Sequence, residues 1–142
     1  MLRACFFITG VLFLAFFAGC SSTPDVSGKW EVTFFAERKG IGKINMEFVL
    51  NIREDQKYSI TTRGTSVKTG VSKIFSHEVG VWEIKAGMIT FYPRVCKEID
   101  EYFDLEEIVC KEPDTEKIVI KDGRWQFTIE EGKTLGLARK PS

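Results

Sequence analysis

Two cysteines and the carboxylates between them are the residues of this 142-residue chain with the most evident capacity for chemistry. Cys96 and Cys110 lie inside a bracket formed by Pro93 and Pro113. Glu98, Asp100, Glu101, Asp104, Glu106 and Glu107 crowd the stretch between them, around Tyr102 and Phe103. Folded as a long hairpin centred near Phe103, the segment brings Cys96 opposite Cys110, and an oxidising compartment joins such a pair as a disulfide. Two free thiols or a metal site are the alternatives. The clustered acids suit a calcium ion or a basic partner. For a partner the candidate contacts are Asp100, Glu101, Tyr102, Phe103 and Asp104, with the aromatics as anchors. A solvated, self-repelling loop is the plainer reading, and the EF-hand spacing with its Gly is missing. His77 is the single histidine, and with no Cys or second His nearby it completes no zinc site. In Ser76-His77-Glu78 it reads as a solvated turn residue. No Ser-His-Asp context, Gly-rich phosphate loop or helix to carry one is present. The expectation is therefore no catalytic residue, no metal, no cofactor and no enzymatic activity.

The N-terminal stretch carries a different chemistry. Arg3 supplies a positive start, and Phe6–Phe17 (FFITGVLFLAFF) is an apolar run of signal-peptide length. As a helix it reaches about 18 Å, short of the roughly 30 Å hydrocarbon core. Phe17-Ala18-Gly19-Cys20 resembles a bacterial lipobox, with Phe17 where the consensus prefers Leu. The resemblance implies removal of residues 1–19 and lipidation of Cys20. Two acyl chains already anchor stably, and palmitate is one chain such a site receives. An ordinary secretory signal with an incidental Cys20 is the alternative. Ser21–Ser27 (SSTPDVS) is small and polar, so 20–27 reads as a tether. Ser after the lipidated Cys resembles the pattern sorted to the outer rather than the inner membrane of a bacterial cell envelope.

The remainder, 28–142, reads as one domain whose strands are visible in their periodicity. Twenty basic and twenty acidic side chains leave no basic excess, which argues against a nucleic-acid partner. Asp122-Gly123 is a two-residue hairpin turn. It places Ile120 opposite Trp125 and Ile118 opposite Phe127. A three-residue loop, Glu130-Glu131-Gly132, then sets Phe127 opposite Leu135 and Trp125 opposite Leu137, so six apolar residues share a face. Trp30, Val32 and Phe34 alternate likewise, as do Ile44, Met46, Phe48, Leu50 and Ile52. Glu54–Gln56 pairs Ile52 with Tyr58 and Leu50 with Ile60. Ala86-Gly87 sets Ile84 opposite Ile89 and Trp82 opposite Phe91. Between them Ser66–Ser76 has a broken alternation around Gly70, Lys73 and Ile74, expected to be a bulge. The fold class that follows is all-β: an antiparallel up-and-down β-barrel of eight to ten strands, after a cleaved signal peptide and a short tether.

Gly28-Lys29-Trp30, opening the first strand, resembles the G-x-W of the lipocalin and calycin family. Leu135-Gly136-Leu137-Ala138-Arg139 resembles that family's late basic residue. The resemblance implies that Trp30 and Arg139 close one barrel end. It also implies that Trp30, Phe48, Leu50, Trp82, Phe91, Trp125 and Phe127 face an interior that either holds a small apolar ligand or is filled by these side chains. Two functions are expected from this plan. The first is a lipid-anchored, non-catalytic protein that binds or carries a small apolar ligand. The second is a packed barrel that presents the disulfide-closed acidic hairpin 93–113 to an envelope or host protein, as an inhibitor does.

Overall fold

The computed structural model describes residues 25–129 and 132–141. The leader, Cys20 and most of the tether lie outside the described residues, as do Glu130 and Glu131 of the last loop. Among the described residues there are ten strands: β1 (Gly28–Arg38), β2 (Gly42–Ile52), β3 (Lys57–Ser66), β4 (Ser72–Lys85), β5 (Met88–Ile99), β6 (Leu105–Ile108), β7 (Asp114–Lys117), β8 (Ile120–Lys121), β9 (Arg124–Thr128) and β10 (Thr134–Arg139). All pairs are antiparallel, in the order β6-β5-β4-β3-β2-β1-β10-β9-β8, with β7 on β5. Among the described residues no helix is long and apolar enough to cross a membrane.

Alternation decides which residues go inward. Along β2, Ile44, Met46, Phe48, Leu50 and Ile52 are all buried while Asn45 is exposed. The turns hold the register that this face needs. Ala86 and Gly87 sit at φ 54° and 75°, and Asp122 and Gly123 at 54° and 72°, the left-handed pair of a two-residue hairpin. Accordingly Ile84 pairs with Ile89, Trp82 with Phe91, Ile120 with Trp125 and Trp125 with Leu137. Ile120 nevertheless stays exposed, because β8 is a two-residue strand at the end of the sheet with no layer over it. The middle is more regular than its sequence. Gly70 belongs to the β3–β4 turn, and the bulge is Phe75, which lies between the pairs Thr62–Ser76 and Arg63–Ile74. His77 lies within β4 rather than in a turn, paired with Thr61 and bonded to its hydroxyl at 2.9 Å. A second bulge leaves Arg94 unpaired between Val79–Val95 and Gly80–Pro93, a place where proline's missing N–H costs no ladder bond.

The sheet rolls until its inner faces meet. Phe91 of β5 packs on Phe127 of β9 at 5.9 Å, Phe48 of β2 on Phe127 at 5.6 Å, and Trp30 of β1 edge-on to Trp125 of β9 at 5.5 Å. The hydrogen-bonded ladder does not close into a continuous barrel. Instead one extended stretch, 114–121, pairs with β5 through its first half and with β9 through its second, helped by Ile118 N–H to Gly87 O and Gln126 N–H to Val119 O. Between β7 and the end of β9 the ladder has a seam. One end of the roll is dense, with Trp30, Leu50, Ile89, Trp125 and Leu137 at its core. Asp25–Ser27, at the end of the stretch read as tether, packs with this body: Val26 is buried, and its carbonyl accepts the Trp30 indole N–H at 2.9 Å.

Candidate functional site

Away from the dense end the roll holds a cavity of about 1040 Å³ that is open to solvent. It is built from inward positions of successive strands: Phe34 of β1, Phe48 of β2, Ile60 and Thr62 of β3, Ser76 and Glu78 of β4, and Phe91 and Pro93 of β5. The stretch 111–116 and residues Phe127–Ile129 complete the wall. Phenylalanine rings give this wall an apolar floor, the usual composition of a small-molecule site with a few polar groups in it.

Two of those polar groups are acids on the inward register. Glu78 stands opposite Ile60 and accepts a hydrogen bond from the Tyr58 hydroxyl at 2.5 Å. Burial, reinforced by this carboxylate, pushes the Tyr58 phenol far above its ordinary range. Glu116 of β7 stands opposite Ile89, beside the seam. Burial is the largest influence on its carboxyl and raises its pKa to about 7, with Asp114 acting in the same direction. A hydrogen bond from the Thr128 backbone and the nearby Trp125 indole oppose the shift. That indole does not reach good hydrogen-bond geometry: Trp125 Nε1 and Glu116 Oε2 are both buried with no hydrogen-bond partner.

The Cys96–Cys110 disulfide is present, with a Cα–Cα separation of 5.3 Å. The hairpin register differs from expectation, since Cys96 pairs with Ile108 and Ile99 with Leu105. The tip is set by Asp100, whose carboxylate accepts the N–H groups of Tyr102 and Asp104 at 2.8 and 2.9 Å, and by Phe103 at φ 65°. Cys110 therefore lies past the end of β6, where the chain leaves the ladder, and the bond pins 109–113 against β5. Lys111, Glu112 and Pro113 of that stretch wall the cavity.

The residues singled out from sequence divide into three groups. Phe48, Phe91 and Phe127 line the cavity, while Trp30, Leu50 and Trp125 form the buried core at the dense end. Trp82 is half-buried on that core, its indole N–H donating to the Arg53 and Lys57 carbonyls. Arg139 pairs with Trp30 across β1 and β10, its guanidinium carbon 4.6 Å from the ring centroid. At the hairpin tip Glu101, Tyr102 and Asp104 are exposed, whereas Phe103 is not free. Its ring lies between the Arg38 guanidinium at 5.2 Å and the Lys73 ammonium at 5.9 Å, closing a smaller hollow of about 280 Å³ over Ile44 and Phe75. Asp100 is occupied in shaping the tip. Among the described residues no group of three or more His, Cys, Asp or Glu side chains converges as metal ligands would.

Sequence reasoning placed Tyr58 on the inner face, as observed, but gave it no part in a site, and it missed Glu116 and Glu78. The signal was parity. Glu116 shares the phase of Ile118, and Glu78 that of Trp82 and Ile84, so both acids were already on the inward register. Compared with family models, curated proteins and solved structures, the chain matches none of them.

Proposed function

We propose that this protein is a lipid-anchored, non-catalytic binding protein of a bacterial envelope that holds a small apolar ligand inside its rolled sheet. The observation that carries the reading is the cavity walled by Phe34, Phe48, Phe91 and Phe127, since rings that could have filled the interior instead leave room beside the seam. The lipocalin-like plan supports it through Gly28-Lys29-Trp30 and the stacking of Arg139 on Trp30. The anchor rests on Ala18-Gly19-Cys20 alone. Native mass spectrometry of the purified chain tests the ligand: a reproducible apolar adduct is expected, and a bare mass from every preparation counts against it. Labelled palmitate tests the anchor: label should enter the parent but not Cys20→Ala.

A second reading, a partner-binding hairpin, is favoured by one feature. Tyr102 is 75% and Val109 91% exposed, and Leu105 and Ile108 lie open on the edge strand between them. Tyr102→Ser with Val109→Ser should abolish capture of such a partner while leaving ligand adducts intact.

A further inference from the structure

The smaller hollow under the hairpin tip, about 280 Å³ and open to solvent, shares no lining residue with the larger cavity. Local sequence makes its floor. The β4 bulge takes Phe75 out of the strand's alternation, and Gly64 has no side chain to hold the ring away. A β-carbon at Gly64 would stand 2.8 Å from the Phe75 ring and 3.1 Å from the buried Ile44. Ile41, Val71 and Phe103 supply apolar walls. The turns that carry two of these walls are tied together, since the Val67 N–H donates to the Lys43 carbonyl at 3.1 Å.

The rim is basic. From Arg38 to Met46, and again from Gln56 to His77, the chain carries no acid, and Lys39, Lys43 and Lys68 are exposed in these stretches. The Arg38 guanidinium carbon lies 5.3 Å from the Phe75 ring centroid and 5.2 Å from that of Phe103. Contact with ring faces occupies none of the guanidinium N–H donors. Among the described residues no acceptor takes them, and neither Arg38 nor Lys73 has a carboxylate partner. The acids of the hairpin tip do not change this. Asp100 is engaged by the N–H groups of Tyr102 and Asp104, and Lys73 Nζ donates instead to the Phe103 carbonyl at 3.4 Å.

An apolar hollow with an unpaired guanidinium on its rim separates the possible head groups of a guest. An ammonium would meet like charge. A hydroxyl would accept one hydrogen bond and leave the charge uncompensated. A carboxylate supplies the opposite charge, and its two oxygens match the planar fork in a pair of charge-assisted bonds. We propose that this hollow binds a single-chain amphiphile with a carboxylate head, the carboxylate accepting from Arg38 and the short hydrocarbon body lying over Ile44 and Phe75 between Val71 and Phe103.

The test uses the full chain in phosphatidylcholine nanodiscs, with protein-free discs as the blank. Octanoate, 1-octanol and octylamine are titrated by calorimetry at pH 7.5. Octanoate should bind about tenfold tighter than octanol, with octylamine weakest of the three. That preference should vanish in Arg38→Met and survive only in part in Arg38→Lys, which keeps the charge without the fork. Val71→Trp, which fills the hollow from its exposed wall, should abolish octanoate binding at an unchanged urea midpoint. Octanoate that binds no tighter than octanol, or that still binds fully in both Arg38→Met and Val71→Trp, overturns the proposal. The order of the three probes is read on the parent protein, so it decides the matter even if a variant fails to fold. Because the two spaces are separate, failure here leaves the reading of the larger cavity standing.

Discussion

Trp30 and Arg139 are direct partners across β1 and β10, and the guanidinium of one lies 4.6 Å from the ring centroid of the other. The Arg139 Nη2 group also donates to the Asp25 carbonyl, so one side chain fastens the first described residue to the last strand. Trp30 in turn reaches Val26 through its indole N–H. Arg139→Ala should lower stability by about 1–2 kcal/mol, and Arg139→Lys by less, because lysine keeps the charge but loses the planar fork. Urea denaturation followed by tryptophan fluorescence measures both.

Gly80 is buried where β4 crosses the Arg94 bulge. A β-carbon there would stand 2.1 Å from the Tyr92 carbonyl oxygen and 2.8 Å from the Tyr58 ring. The first contact is backbone and cannot swing away, so Gly80→Ala should cost about 3 kcal/mol or more. A urea midpoint equal to the parent's would contradict the β4–β5 register.

These two positions show what the sequence made legible. The contact of Arg139 with Trp30 was expected from the resemblance to the lipocalin pattern, while the inward phase of Trp30 was legible from the clean period of two in its strand. The turns at Ala86-Gly87 and Asp122-Gly123 were legible for the same reason, since their chemistry dictates one backbone geometry. The bulges at Phe75 and Arg94 were not, because a bulge is chosen by what the neighbouring strand must avoid. The hairpin tip was misplaced because Asp100 captures two N–H groups and turns the chain earlier than its cysteines suggest. The seam was invisible from sequence. It arises because β6 and β7 share the edge of β5 and leave 109–113 off the ladder, a property of strand lengths in three dimensions. Glu116 was overlooked because an acid on an inward register reads as noise until a cavity gives it a purpose.

The disulfide holds that off-ladder stretch. Replacing Cys96 and Cys110 together by Ala should cost about 3 kcal/mol through the freed loop. Because 111–113 wall the cavity, it should also weaken binding of any apolar probe more than the stability loss alone explains. Probe affinity measured at a temperature where both proteins are fully folded separates the two effects.

Glu116 makes stability depend on pH in a direction unusual for an acid. Its carboxyl titrates near pH 7 when folded against an ordinary value of 4.5, so the folded form binds the proton more tightly than the unfolded chain. Its contribution is whole below about pH 4.5, declines as pH rises towards 7 and is flat above. The loss should be about 1–2 kcal/mol once solvent screening of a partly exposed group is allowed for. Asp25, lowered chiefly by its bond from the Ser27 hydroxyl, titrates below this window and acts in the opposite sense. Glu116→Gln should abolish the slope between pH 5 and 8 and be more stable than the parent at pH 8. A parent protein that gains stability over that range would refute the assignment.

The central claim is that the interior of the rolled sheet is open to an apolar guest rather than filled by its own side chains. Titrating the full chain in amphipol with N-phenyl-1-naphthylamine, beside a Thr62→Trp variant that places an indole in the cavity, tests it directly. Saturable one-to-one binding by the parent, lost in a variant with the same urea midpoint, is the predicted result. Equal binding by both proteins, or none by the parent, would contradict it.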